Sequence, residues 1–398
     1  MVVVGAGPAG STASIFLAKK GLKVVMVDKN KFPRTKPCGG GIPISIFKRL
    51  PFLKKHNIVD TYSYGGFIYS SSLKYCAEFQ SNDPVIALVS RETFDNKLAS
   101  IAVDHGAEFY DGKRVKDVNI TTDKVEVILE DGKTINSEVV VGADGVSSIV
   151  AQKAGLSTKN KVVNICVFQE YKLNEKILDD FTTKKHLCHI HMVYSNIPGY
   201  AWMFPKKDSF NIGIGEFIPY KKTDLKFNLV YAYNSYFNLL QKKKLIPLDL
   251  KIGKLRGGCI PVNILKKTYS NRVVVCGDAA GFINPVSGGG IYYAMISGGN
   301  AASVIYMAFE KENFDSSLLS NYQNLWMQEF GRDLHALSRI SNLWLKNSEK
   351  LIKIISKDKR LIDIVSGFLY GNLRIRDYRS KIISYYIQDR IKDVLGIL

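Results

Sequence analysis

The chain has 398 residues, of which 46% are hydrophobic and 23% charged: a globular composition, and too long for one ordinary core. No apolar run is long enough to cross a membrane, and the N-terminus carries no secretory pattern, so a cytoplasmic protein is expected. The formal charge of +19 comes without helix-turn-helix, zinc-finger or RRM patterns, which argues against nucleic acid. Two readings of the charge remain: a peripheral contact with an anionic membrane on the inner face of the cell, or a lysine-rich compositional bias.

The chain opens on a short strand, Val2-Val3-Val4, then Gly5-Ala6-Gly7-Pro8-Ala9-Gly10, a helical run, and a second strand ending at Asp28. In such a β-α-β unit Gly5 permits the tight turn, Gly7 lets backbone approach a pyrophosphate, and Gly10 lets the helix pack on its strand. Asp28 stands where a carboxylate accepts from a ribose hydroxyl and repels a 2′-phosphate, which suits the unphosphorylated adenosine of FAD or NAD. Lys36-Pro37-Cys38-Gly39-Gly40-Gly41-Ile42 follows as a loop. Short strands are expected at 65–69 and 84–89, a helix at 91–103, and a meander at 114–121, 124–129 and 134–141, with Asp131-Gly132 as a hairpin turn.

Gly142-Ala143-Asp144-Gly145 ends the last of these runs. Long alternating strands are then expected at 162–173, 185–194, 200–205 and 210–217, with a helix near 224–243, as in an inserted and largely antiparallel sheet. Within it, Tyr200, Trp202 and Phe204 alternate and share one face of their strand. The first pattern resumes at 272–278, where a valine run delivers Gly277-Asp278-Ala279-Ala280-Gly281 and then Gly288-Gly289-Gly290-Ile291 at a helix start. That helix reads on to about Glu312, and from Ser316 to the end the spacing is helical. From Arg339 onward there are 13 Lys and Arg against 6 Asp and Glu, in segments such as Ser380–Tyr386.

Six cysteines are scattered with no CxxC pair, which excludes a disulfide framework and a Cys₄ site. His186, Cys188, His189 and His191 are the densest group of ligand types. No second cluster completes a shell, so they read as a strand with polar side chains, and no metal is expected.

GxGxxG, GADG and GDAAGxxxP in this order, over residues 1–300, resemble the p-hydroxybenzoate-hydroxylase-like FAD superfamily. The PCGG loop at 37–40, the Tyr200-Ala-Trp-Met-Phe-Pro strand with its 211–215 return, and Gly257-Gly258-Cys-Ile-Pro261 resemble the geranylgeranyl reductases within it. The resemblance implies an α/β fold: a Rossmann-like FAD-binding domain (1–60, 90–160 and 268–312), an inserted β-sheet substrate domain (61–89 and 161–267), and a C-terminal helical region (313–398).

It implies FAD at Gly5, Gly7, Ala9, Gly10 and Asp28, with Cys38, Gly39 and Gly41 along the flavin, Arg91 reaching the cofactor and Val115 at the adenine. Asp278, Gly290 and Ile291 would hold the ribityl and isoalloxazine, and Tyr200, Trp202 and Phe204 would line the prenyl cavity. The implied reaction is saturation of geranylgeranyl chains of a lipid, quinone or pigment precursor, by hydride from reduced flavin N5 plus a proton. Two roles are open for Cys38: weak acid or flavin partner at the catalytic centre, or buried inert thiol. With no second GxGxxG, the electron donor is NADPH bound transiently or a ferredoxin-like protein. The alternative in the same fold is a flavin-dependent monooxygenase or halogenase.

Overall fold

Valine runs covered on both faces make the centre of the molecule. A computed structural model describes residues 1–157, 163–216 and 228–369, together with 371, 377, 378, 380, 381, 384, 385 and 388. Its six-stranded sheet runs in the order Tyr269–Ser270, Val273–Val275, Val140–Gly142, Val2–Val4, Val25–Val27, Glu108–Tyr110. All neighbours are parallel except the edge pair Tyr269–Ser270 with Val273–Val275. The three central strands are only three residues long and fully buried, as unbroken apolar runs in a parallel sheet should be.

Helices Pro8–Lys19 and Ile291–Glu310 lie together against this sheet. Their approach needs Gly298, because a Cβ there would stand 2.3 Å from the Ala9 carbonyl oxygen. Gly5 has φ +99°, and its Cβ would stand 2.3 Å from the Ala143 carbonyl oxygen, so the first turn also admits only glycine.

The expected meander forms from Val115–Ile120, Val125–Leu129 and Thr134–Ser137. The single run expected at 134–141 is in fact two strands, because its halves have different partners. Thr134–Ser137 closes the meander, the chain bends at 138–139, and Val140–Gly142 enters the parallel sheet.

A seven-stranded sheet follows in the order Arg256–Pro261, Val163–Lys172, Ser209–Glu216, Gly199–Pro205, Cys188–Met192, Gly65–Tyr69, Cys76–Gln80. It is antiparallel except where Cys188–Met192 meets Gly65–Tyr69. Helix Leu229–Lys242 covers one face, with Tyr233, Tyr236, Phe237 and Leu240 on Phe210, Ile212 and Ile214. Strand Ile86–Leu88 lies instead between Gly41–Pro43 and Thr61–Ser63, antiparallel to both, in a small fourth sheet. Thr61–Ser63 and Cys76–Gln80 were not foreseen from the sequence.

Beyond the long helix come Ser316–Trp326, a π-helical turn Met327–Gly331, then Arg332–Lys346, Ser348–Ile355 and Lys359–Leu369. The last two set Ile352, Ile354, Ile355 and Leu361 on Ile68, Ala77, Ile190 and Met192, and so roof the second face of the seven-stranded sheet. Expected element ends at 162, 217 and 224–227, and most of the basic tail including residues 382, 383 and 386, lie outside the described residues.

Candidate functional site

Parallel strand order carries the three glycine motifs to one sheet edge. Strands Val25–Val27, Val2–Val4, Val140–Gly142 and Val273–Val275 are consecutive neighbours, so the turns leaving their C-terminal ends sit side by side. The contacts are close: Gly10 lies on Gly5 and Ala143, and Gly277 lies on Ala9. Asp278 Oδ1 is 3.3 Å from where a Cβ of Gly290 would be, so the third motif folds back on the glycine triplet. Ile291 begins the helix that Gly290 caps.

Asp28 is buried, and its carboxylate accepts the Ala6 N–H and the Asn30 N–H, both at 2.9 Å. It therefore braces the first turn. The Lys113 N–H donates to the Asp28 carbonyl at 2.8 Å, which brings half-buried Val115 alongside.

The residues present fit a dinucleotide pyrophosphate. Neither Gly7 nor Gly290 contributes a side chain to cap its helix, so first-turn N–H groups face outward for an anion. A Cβ at Gly7 would meet only Arg34 Nη2, at 3.7 Å, which leaves the approach to the turn open.

Arg34 is the guanidinium nearest that turn, and the sequence reading did not single it out. Arg91 lies behind it, buried and bidentate on Asp95 at 2.8 Å for each contact, while Arg34 reaches the same carboxylate at 2.7 Å. Burial alone would raise the Asp95 carboxyl, but Arg91 and then Arg34 and Lys36 hold it below its ordinary value. Lys36 also pairs with Asp278 at 3.1 Å. Two positive charges from one loop thus stand over the glycine edge.

The loop continues into a cleft of about 150 Å³. One wall is Cys38, Gly39, Gly40 and Gly41; a second is Ser287, Gly288, Gly289, Gly290 and Ile291. The third is the seven-stranded sheet, presenting Ile190, Met192, Tyr200, Trp202 and Phe204, with Leu369 from the roof. The alternation read from the sequence does put the three aromatic residues on one face. Their surroundings differ, however. Trp202 is buried at 6% exposure, against Gly39 and across Gly213, while Tyr200 and Phe204 are half-buried and the Tyr200 hydroxyl donates to the Ser287 carbonyl.

Cys38 and Glu216 both line the cleft. Cys38 Sγ accepts the Gly40 N–H at 3.3 Å, and Glu216, at the far end of the return strand, has its carboxyl pushed up by burial. Glu216 was not foreseen, because a single acid at a strand end gives no sequence signal. Cys166 also lines the cleft, and burial raises its thiol to about 12.

His189 and His191 point away from the cleft, to the face covered by helix Leu229–Lys242. There His189 meets the Tyr69 hydroxyl at 3.3 Å and His191 meets the Tyr236 hydroxyl at 3.1 Å. Burial lowers them to about 4 and about 3. Among the described residues no group of three or more His, Cys, Asp or Glu could hold a metal ion.

Comparison with known proteins agrees with this geometry. The profile of the FAD binding domain family matches residues 1–325. The digeranylgeranylglycerophospholipid reductase of Methanocaldococcus jannaschii is 31% identical over 83% of this chain and 82% of its own length. That of Methanococcus aeolicus is 29% identical over 92% of this chain and 91% of its own. Among solved structures, a geranylgeranyl bacteriochlorophyll reductase-like protein of Thermoplasma acidophilum superposes with a TM-score of 0.76 at 23% identity, covering 95% of this chain and 98% of its own. The flavin-dependent brominase Bmp2 superposes at 0.70 with 21% identity, over 97% and 98% of the two chains. These two structural likenesses speak to the fold.

Proposed function

This chain belongs to the geranylgeranyl reductase family of FAD-binding proteins, and from that premise we propose that it saturates carbon–carbon double bonds in the geranylgeranyl chains of a lipid. The substrate class we infer is a digeranylgeranylglycerophospholipid, the molecule in its relatives' names. One observation carries the reading: an apolar cleft walled by Tyr200, Trp202 and Phe204 opens onto the two glycine loops along which a flavin would lie. The halogenase likeness is one of fold, and no feature of the cleft favours that chemistry.

FAD, when bound, supplies the two electrons and one hydrogen of the saturation, and a proton completes it. Gly5, Gly7, Ala9 and Gly10 would receive the pyrophosphate with Arg34 opposite, and Asp28 the adenosine ribose, with Val115 beside the adenine. Arg91, bidentate on Asp95 beside Arg34 and interacting with Cys38, would reach the cofactor from behind that loop. Cys38, Gly39, Gly41, Asp278, Gly290 and Ile291 would hold the ring and ribityl chain. The apolar walls exclude water from an unactivated alkene, and Cys38 Sγ is the atom from which the proton would move. Reducing power would come from NADPH or a ferredoxin-like protein, since the sequence has no second dinucleotide turn. The cofactor is assigned to 1–60, 90–160 and 268–312, the lipid to 61–89 and 161–267, and 313–398 is kept as a separate C-terminal region.

Helices Arg332–Lys346 and Ser348–Ile355 support contact with an anionic bilayer: Ile340 and Leu343 are exposed on the first, as are Arg339 and Lys346, with Lys350 exposed on the second. The neighbouring acids are already engaged, Glu349 by Ser71 and Ser72, and Asp358 by Arg360. Among the described residues no helix is long and apolar enough to cross a membrane.

The test is anaerobic incubation of the dithionite-reduced holoprotein with digeranylgeranylglycerophospholipid vesicles, followed by mass spectrometry. Mass gains in steps of two hydrogens are expected. An unchanged lipid with fully reduced flavin overturns the reading.

A further inference from the structure

Asn211 lies on the cleft face of the sheet, fully buried, between the aromatic strand and the Cys38 loop. Its Oδ1 accepts the Trp202 indole N–H at 2.8 Å. Its Nδ2 donates to the Cys38 carbonyl at 3.1 Å and, in a short hydrogen bond, to Glu170 Oε2. The orientation of this amide is therefore dictated by its partners. Turned over, it would set its oxygen against a carboxylate and a carbonyl, and its NH₂ against an N–H.

Glu170 is itself fixed from three sides. Lys206, 2% exposed, reaches Glu170 Oε1 at 2.9 Å, Ser209 Oγ donates to the same oxygen at 2.7 Å, and Asn211 takes the other oxygen. Lys206 is withdrawn from water while the Glu170 side chain keeps 27% exposure, so the buried ammonium has its counter-charge and the carboxylate is held by three donors. Packing repeats the same connection. A Cβ at Gly39 would stand 2.8 Å from the Phe204 ring, and one at Gly213 would stand 2.1 Å from the Trp202 ring. Gly40 has φ +83°, and its carbonyl accepts the Val89 N–H at 2.9 Å, which anchors the loop on its other side.

We propose that Asn211, held by Glu170, is a positioning residue that joins the Trp202 indole to the Cys38 carbonyl and so fixes the Cys38–Gly41 loop at a set distance from the lipid-facing wall. The loop is where the flavin would lie and the wall is where the alkene would lie, so this link would set how closely they meet. A misplacement of an ångström or so between reacting groups costs on the order of 100-fold in rate. The catalytic consequence rests on the function proposed above; the mechanical link does not.

The test reads the two separately. In the purified holoprotein, alkylation of Cys38 by iodoacetamide is followed by peptide mass, with exposed Cys76 as the internal reference. Asn211→Asp puts a carboxylate against Glu170 and the Cys38 carbonyl. It is expected to raise the Cys38 rate about 10-fold, leave Cys76 unchanged, and lower turnover per bound FAD by a similar factor. Trp202→Phe removes the N–H and keeps an aromatic ring, and should move both readouts the same way by a smaller factor. The double variant Glu170→Gln with Asn211→Asp restores a donor facing an acceptor and one negative charge for Lys206, and should recover part of the protection. If Asn211→Asp does not fold, Trp202→Phe decides. Wild-type Cys38 labelling in the folded variants, or an equal rise at Cys76, overturns the proposal. A Cys38 response in a protein whose parent reduces no lipid overturns the proposed function and leaves the link standing.

Discussion

The strands Gly199–Pro205 and Ser209–Glu216 have two apolar faces with opposite fates. On one face Ala201, Met203, Ile212 and Ile214 meet Tyr233, Tyr236 and Phe237 of a helix, and the space is filled. On the other Tyr200, Trp202 and Phe204 meet Gly39 to Gly41 and Gly288 to Gly290, which have no side chains, and a cleft remains. Hydrophobicity of the strand does not separate core from site. What separates them is the partner: side chains interdigitate and close a gap, whereas glycine backbone leaves room for a ligand.

Paired truncations break this comparison most directly. Phe210→Ala, in the filled face, is expected to cost about 3–5 kcal/mol of unfolding free energy. Phe204→Ala, on the cleft face, should cost about 1 kcal/mol and instead depress turnover on long prenyl chains at unchanged FAD content. Denaturant unfolding of both variants checks it, and equal stability losses would make the cleft face ordinary core.

At the glycine edge the same contrast concerns polar groups. Asp28→Ala removes a charge-assisted acceptor and also orphans the Ala6 N–H, so FAD affinity should fall by about 1.5–3 kcal/mol, roughly 10- to 150-fold. Flavin retention on titration or dialysis measures this. Unchanged retention would assign Asp28 to bracing alone.

The filled face also has a pH signature of its own. His189 and His191 are held neutral there, near 4 and 3 against an ordinary 6.5. A depressed histidine leaves stability whole above pH 6.5 and erodes it as pH falls from 6.5 toward 4, because only the unfolded chain takes up the proton. The slope is at most about 1.4 kcal/mol per pH unit for each histidine. His191→Phe should flatten it, whatever the variant's stability at pH 8, and an unaltered slope over pH 4–6.5 would count against the assignment.

The smallest expected effect lies on the basic surface of helices Arg332–Lys346 and Ser348–Ile355. Replacing Lys346 and Lys350 with Gln should weaken co-sedimentation with anionic vesicles by roughly 1 kcal/mol per charge at low salt, and by little at high salt. Equal binding to neutral and anionic vesicles would remove the membrane from the reading.

Much of this was legible in the sequence because it depends on local chemistry. A valine run, a glycine turn and an acid at the next strand end describe a β-α-β unit whatever surrounds them, and alternation places Tyr200, Trp202 and Phe204 together on any strand. The less legible parts depend on partners distant in the chain. Residues 134–141 read as one strand because nothing local reveals that its halves join different sheets. Strand Ile86–Leu88 read as part of the β-insert for the same reason, though it pairs with Gly41–Pro43.

The sequence by itself determined the β-α-β unit, the three glycine motifs and their order, and the aromatic face, since each follows from backbone freedom or side-chain period over a few residues. Only the tertiary structure decided that Arg34 stands nearest Gly7, that Glu170, paired with Lys206, reaches Asn211 across strands, and that one face of the sheet closes while the other stays open. Those outcomes turn on which surfaces meet, and an ion pair or a void between segments tens of residues or more apart leaves no period or spacing to read.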